Sequence, residues 1–248
     1  MLNYSKINSS YVDSKGFDEG LRSYFLKIYS YMAAALLVTA LSAFSVFAIP
    51  PLARALYNFT PGGYIVGITG LGHLVGFAPL AISLYFIFGF GSMTNEKAKT
   101  WFWVFSSTMG LSLSMYTFIY TGASLVRSFL ICSSVFAGMS IYGYSTKRDL
   151  TSMASFMVMG LWGIFLAGIV NIFLQSSAIH FVTSILGVVI FTGLIAWDTQ
   201  KLKSYYYSVG DSVMGQKMAI MGAFQLYLDF INLFLFLLRF WGVRRSND

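Results

Sequence analysis

Apolar residues run through this chain in seven long blocks separated by short polar breaks, at about 24–49, 73–90, 101–120, 125–144, 153–174, 181–198 and 218–240. Each is close to the ~20 residues that a helix rising about 1.5 Å per residue needs to cross about 30 Å of hydrocarbon. The pattern predicts an all-α integral membrane protein, a seven-transmembrane-helix bundle over 24–240. A polar N-terminal tail at 1–23 and a short polar C-terminal tail at 241–248 flank it, and the breaks are too short to hold a second folded unit. Punctuation agrees. Pro50-Pro51 and Pro61-Gly62-Gly63 interrupt the first break, and Trp101, Trp103, Tyr142 and Tyr144 stand where helix ends meet headgroups. Pro79, inside the second block, predicts a kink.

Composition narrows the class further. The chain is 57% hydrophobic and 10% charged, with a mean hydropathy of +0.70, whereas a soluble domain covers itself with about 25% charged residues. The net charge of +7 does not point to nucleic acid, because the basic residues stand singly or in pairs between the apolar blocks rather than along one face. They sort by side instead. The N-terminal tail and the even-numbered breaks hold Lys6, Lys15, Arg22, Lys27, Lys97, Lys99, Lys147, Arg148, Lys201, Lys203 and Lys217, while the other breaks hold Arg54 and Arg127. The positive-inside rule then puts the N-terminus in the cytoplasm, and the tail, which lacks a small-residue cleavage pattern, is expected to be retained. Arg239, Arg244 and Arg245 run against the rule at the far end of the last block. Either that block crosses despite them, or it re-enters without crossing. Cys132 is the one cysteine, so neither a disulfide framework nor a thiolate metal site can be built within one chain.

Two carboxylates stand out against this background. Asp198 closes the sixth block at its cytoplasmic edge, and Asp229 lies near the middle of the seventh, where an ionised carboxylate costs about 2.5–3.5 kcal/mol on insertion scales. Gln225, Asp229 and Asn232 fall on one helical face, with Leu and Phe around the rest, so that face is expected to point inward. Hydrogen-bonded glue between helices is the plain reading of such a residue; a role in moving ions or protons is the sharper one. Two carboxylates held together in low dielectric share a proton and titrate as a unit. With Gln225, Asn232, backbone carbonyls and water, the pair would hold calcium weakly, as a transit site requires.

Three segments carry a resemblance. They are Gly143-Tyr144-Ser145-Thr146-Lys147-Arg148-Asp149-Leu150 after the fourth block, Trp197-Asp198-Thr199-Gln200 after the sixth, and Leu226-Tyr227-Leu228-Asp229-Phe230-Ile231-Asn232-Leu233-Phe234 with Arg239 in the last. On these the chain resembles the Bax inhibitor-1 family, bacterial type, with matching span spacing from Arg22 onward. The resemblance implies a seven-helix bundle with the last helix central, in the bacterial inner (plasma) membrane, and an aspartate pair that senses pH and controls calcium leak. Carried over, the pair is Asp198 and Asp229, with calcium as a transported ion and no cofactor. Bacterial leak channels of the family also have a basic latch at the cytoplasmic end of the second span. Here that stretch reads Gly91-Ser92-Met93-Thr94-Asn95-Glu96-Lys97, and Lys97 and Lys99 are the candidates. Their second span also holds a carboxylate, for which this chain has Gly76-Phe77-Ala78-Pro79-Leu80, as in another bacterial branch.

The resemblance also allows a non-conducting role, as a modulator or partner of a membrane quality-control protease or another membrane protein. No enzyme is expected. Ser140 and His180 belong toward opposite ends of their spans, which is wrong for a dyad. The Gly210-Asp211 pair lies in a polar break, away from any aspartyl-protease geometry. His73 and His180 are too isolated for a metal site. The expected partners are membrane lipids and calcium.

Overall fold

The computed structural model describes residues 4–245, with side chains from residue 19 onward. Most side chains of the expected tail at 1–23, and the last three residues of the one at 241–248, lie outside the described residues. Among the described residues the chain forms α1 (Tyr4–Ala48), α2 (Pro50–Leu56), a hairpin of β1 (Tyr57–Phe59) and β2 (Ile65–Ile68), α3 (Gly70–Gly89), α4 (Asn95–Leu113), α5 (Met115–Ile119), α6 (Gly122–Ser145), α7 (Thr151–Leu174), α8 (Ser177–Val209) and α9 (Val213–Trp241). Hydroxyl side chains start five of the longer helices. Thr69, Thr94, Thr121, Ser176 and Ser212 each accept an amide N–H three residues on, satisfying a donor that the first turn leaves orphaned.

Six helices are long and apolar enough to cross a membrane: α1 from Glu19, α3, α6, α7, α8 and α9. The remaining expected block, the third, at 101–120, is divided. α4 is 19 residues long but mixes serine, threonine and lysine among its aromatics, and it ends at Leu113, just before Ser114, whose hydroxyl bonds Tyr57 Oη of the hairpin at 2.8 Å. α3 runs unbroken through Pro79, and Ser112 of α4 donates to Gly76 O one turn earlier.

The two ends of the bundle differ. At the lysine end, Lys203 Nζ donates to Tyr144 O (2.8 Å) and Lys217 Nζ to Gly91 O (2.9 Å). At the hairpin end, Arg244 pairs with Tyr120 as an antiparallel bridge, and Arg245 N donates to Ile119 O at 2.9 Å. α9 is one continuous helix between these ends. The last block thus has no break at which its backbone turns back, and Arg244 and Arg245 stand at the hairpin end beside Tyr120 and Ile119.

α9 packs against α1, α4, α6 and α8. Phe224 and Tyr227 meet the rings of Phe86, Phe102 and Phe105, with the Phe86–Phe224 and Phe105–Phe224 centroids 4.7 and 4.9 Å apart. Tyr227 Oη lies 2.7 Å from Thr39 Oγ1, which also lies against the Ala35 and Ser106 carbonyls. The threonine has one proton for a carbonyl, so the tyrosine donates and three helices are joined through one hydroxyl.

Candidate functional site

α8 and α9 are joined by a turn at Gly210, whose positive φ (57°) stops α8, and they run antiparallel with an extensive shared seam. The side chains of Asp198 of α8 and Asp229 of α9 face each other across it, close enough to interact. Both are buried, at 9% and 7% exposed. Asp198 was expected at the edge of its span, but α8 continues to Val209 and carries it inside. The apolar block marks where the helix leaves hydrocarbon, not where it stops. The residues after Asp198 are polar and aromatic but contain no helix breaker before Gly210.

A hydrogen bond between two carboxyl groups requires a proton on one of them, since an ionised carboxylate only accepts. Two carboxyls placed so can hold one proton between them, where two bare charges would repel. Asp229 Oδ2 is buried and has no partner, and neither has Gln225 Oε1 one turn earlier on α9. Asn232 completes the predicted stripe but spends its Nδ2 on Leu228 O of its own helix at 2.8 Å. Among the described residues no three His, Cys, Asp or Glu side chains cluster; the two carboxyls have the Gln225 amide oxygen one turn away.

The cation that acts on both carboxyls is Lys201, one turn beyond Asp198, with its Nζ 4.8 Å from the centre of the Trp197 ring. The latch candidates stand elsewhere. Lys99 pairs with Glu96 at 2.8 Å, and the Lys97 amide is held by the Thr94 cap. The stretch where a latch was sought is met by Lys217, buried with its Nζ on Gly91 O and 5.0 Å from the Phe90 ring. On the far side of α8, Tyr29 of α1 faces Thr199 and Ser140 of α6. Ser140 lies toward the lysine end of α6, whereas His180 is in the first turn of α8 at the hairpin end. Sequence reasoning missed Lys201, Lys217 and Tyr29. For Lys201 a signal existed, because a lysine three residues after Asp198 shares its helical face.

Contacts also join two of the segments that carry the resemblance. Gln200 Oε1 accepts Leu150 N (2.9 Å) and its Nε2 donates to Arg148 O (2.7 Å), closing the α6–α7 loop onto α8. At Gly143 a methyl group would strike the Ala196 backbone, so α6 and α8 touch beside Asp198 and only glycine fits.

These features define a helical membrane protein whose last two spans carry a facing pair of carboxyls in their buried seam. The model of the family described as inhibitor of apoptosis-promoting Bax1 matches residues 21–246. The uncharacterized protein RP147 of Rickettsia prowazekii is 52% identical, over 99% of this chain and 100% of its own length. An uncharacterized protein of Caulobacter vibrioides is 41% identical over 92% of each chain. The inner membrane protein YbhL of Escherichia coli is 37% identical over 91% of this chain and 94% of its own. The chain belongs to the Bax inhibitor-1 family.

Proposed function

We propose that this protein is a pH-sensitive calcium leak channel of a bacterial inner membrane, gated by Asp198 and Asp229, with α9 as the central helix of seven crossings. α4 and α5 together supply the seventh, since their two ends lie at opposite ends of the bundle, and the lysine end with the N-terminus faces the cytoplasm. The observation that carries the reading is that two buried carboxyls face each other in the α8–α9 seam. Losing a proton shared by the pair sets two like charges side by side, so the proton count of the pair biases how closely α8 and α9 approach. The same deprotonation turns the seam into a dianionic step with Gln225 Oε1 beside it. That is too few ligands for tight calcium binding and suited to passage, since calcium takes six to eight oxygens when held firmly.

Flux from pure liposomes tests this directly. With a calcium-sensitive dye inside, the protein should pass calcium down its gradient at a rate that changes between about pH 6 and pH 8. Asp229→Asn keeps the size and a hydrogen bond while removing the titratable proton, and should abolish the pH dependence. Because Asp198 is as buried as its partner, Asp198→Asn should do the same to a comparable degree. A protein that passes no calcium at any pH, or an Asp229→Asn variant with an unchanged profile, would replace the channel by the non-conducting modulator of a membrane protease.

A further inference from the structure

Two of the three arginines that run against the charge rule meet at one cavity. At the hairpin end, a cavity of about 540 Å³ lies between the α7–α8 turn and the last turn of α9, and Arg239, Arg244 and His180 all line it. Gln175, Ser177 and Ser184 supply further polar groups to the same walls. Among the described residues the one ion pair is Lys99 with Glu96, so no carboxylate neutralises either guanidinium. The amino end of the 33-residue helix α8 opens here with no acidic residue in its first turn, and its dipole adds to the positive field. Phe181 and Phe240, with centroids 5.5 Å apart, form the apolar side. The backbone of the segment is pinned by the Tyr120–Arg244 bridge and by Val243 N on Ser124 Oγ (2.9 Å), so the cavity is built on fixed elements.

We propose that this cavity binds a phosphate-bearing anion through Arg239, Arg244 and His180. Guanidinium forks match phosphate oxygens in pairs, and two of them beside an imidazole and a helix amino end offer more positive charge than a single carboxylate would balance. The cavity lies at the end of two membrane helices, at headgroup depth, and exceeds what inorganic phosphate alone would fill. A phosphodiester headgroup and a free phosphate share the recognised chemistry. The bound anion also accounts for Arg239 and Arg244 at the end of the bundle that is otherwise poor in positive charge.

The test uses the whole purified protein. In detergent it is titrated with inorganic phosphate against chloride of equal ionic strength, and separately with phosphatidylglycerol against phosphatidylcholine in mixed micelles. Thermal stability and native mass spectrometry report binding. A saturable rise in Tm with a one-to-one adduct is expected for phosphatidylglycerol, weakened about tenfold or more in Arg239→Gln and in Arg244→Gln. An equal response to inorganic phosphate assigns a free anion, and its absence assigns the lipid headgroup. Arg127→Gln, at the same end but outside the cavity, should keep the full response. The chain has two histidines, so labelled imidazole resonances give a readout in the unmutated protein: His180 should shift on titration and His73 should not. No saturable response to either probe, an unmoved His180, or undiminished binding in the arginine variants would overturn the proposal.

Discussion

The apolar stretch of α7 has a mean hydropathy of 2.2 and none of it is buried, whereas that of α9 reaches only 1.7 and 61% of it is buried. In a soluble protein the order would be reversed. Here the solvent is hydrocarbon, so an apolar helix gains nothing by leaving it, and α7 leans mainly on α8 with Phe156, Trp162, Phe165 and Phe173 turned outward. α9 is drawn inside by what lipid does not serve: the Asp229 carboxyl, the Tyr227 hydroxyl, Gln225, and small residues such as Ala219, Gly222 and Ala223 that admit neighbouring helices. Polarity and side-chain size, more than hydrophobicity, sort the helices between core and rim.

The largest test of that contrast exchanges one ring on each helix. Phe224→Ala removes a side chain 1% exposed, and should cost about 3 kcal/mol through lost packing and the cavity left behind. Phe173→Ala removes one 84% exposed, and should fall within about 0.5 kcal/mol. Unfolding in mixed micelles measures both, and equal losses would break the distinction between core and rim. A smaller effect is expected for Tyr227→Phe, which keeps the ring and removes only the bond to Thr39. Polar contacts between membrane helices are worth about 0.6–1.7 kcal/mol, so a loss of about 1 kcal/mol is predicted, and no loss would leave ring packing alone to explain why α9 is inside.

The smallest expected effect lies at the start of α7. Asp149 Oδ1 accepts Thr151 N at 2.9 Å, and bonds from Thr151 hold this exposed carboxyl below the usual carboxylate range. Its folded pKa is therefore below its unfolded one. Its support for the first turn is complete above the unfolded pKa and is lost as pH falls through the folded value. Hydrogen exchange at the Thr151 amide, corrected for intrinsic rate, should lose protection on acidification, and Asp149→Asn should flatten that response.

How much of this was legible in sequence differs by level. The spans were, because hydropathy reports transfer into lipid directly. The block at 181–198 nevertheless ended well before α8 does, and the block at 101–120 hid the division at Ser114, where a serine-to-tyrosine bond ends a helix without proline or glycine to announce it. The aspartates were legible as costly residues, and their contact followed from antiparallel neighbours with facing polar positions. Lys201 and Lys217 were not singled out, since a lysine in a polar break reads as a topology signal whether it lies free or, like Lys217, is buried on a helix-end carbonyl. Arg239 and Arg244 were read only as an exception to a rule. Nothing linear shows that His180, some sixty residues earlier, shares their cavity.

The burial of α9 has a consequence for biosynthesis. Ribosomes deliver α1 through α8 before the helix that fills the space among α1, α4, α6 and α8, so a nascent chain waits in the translocon's vicinity with a vacant polar slot. During that interval Asp198 faces no carboxyl partner and the Phe86, Phe102 and Phe105 rings have no Phe224 to close on. Quality control acting on this protein therefore has a defined moment to act, and the arrival of α9 is the event that ends it.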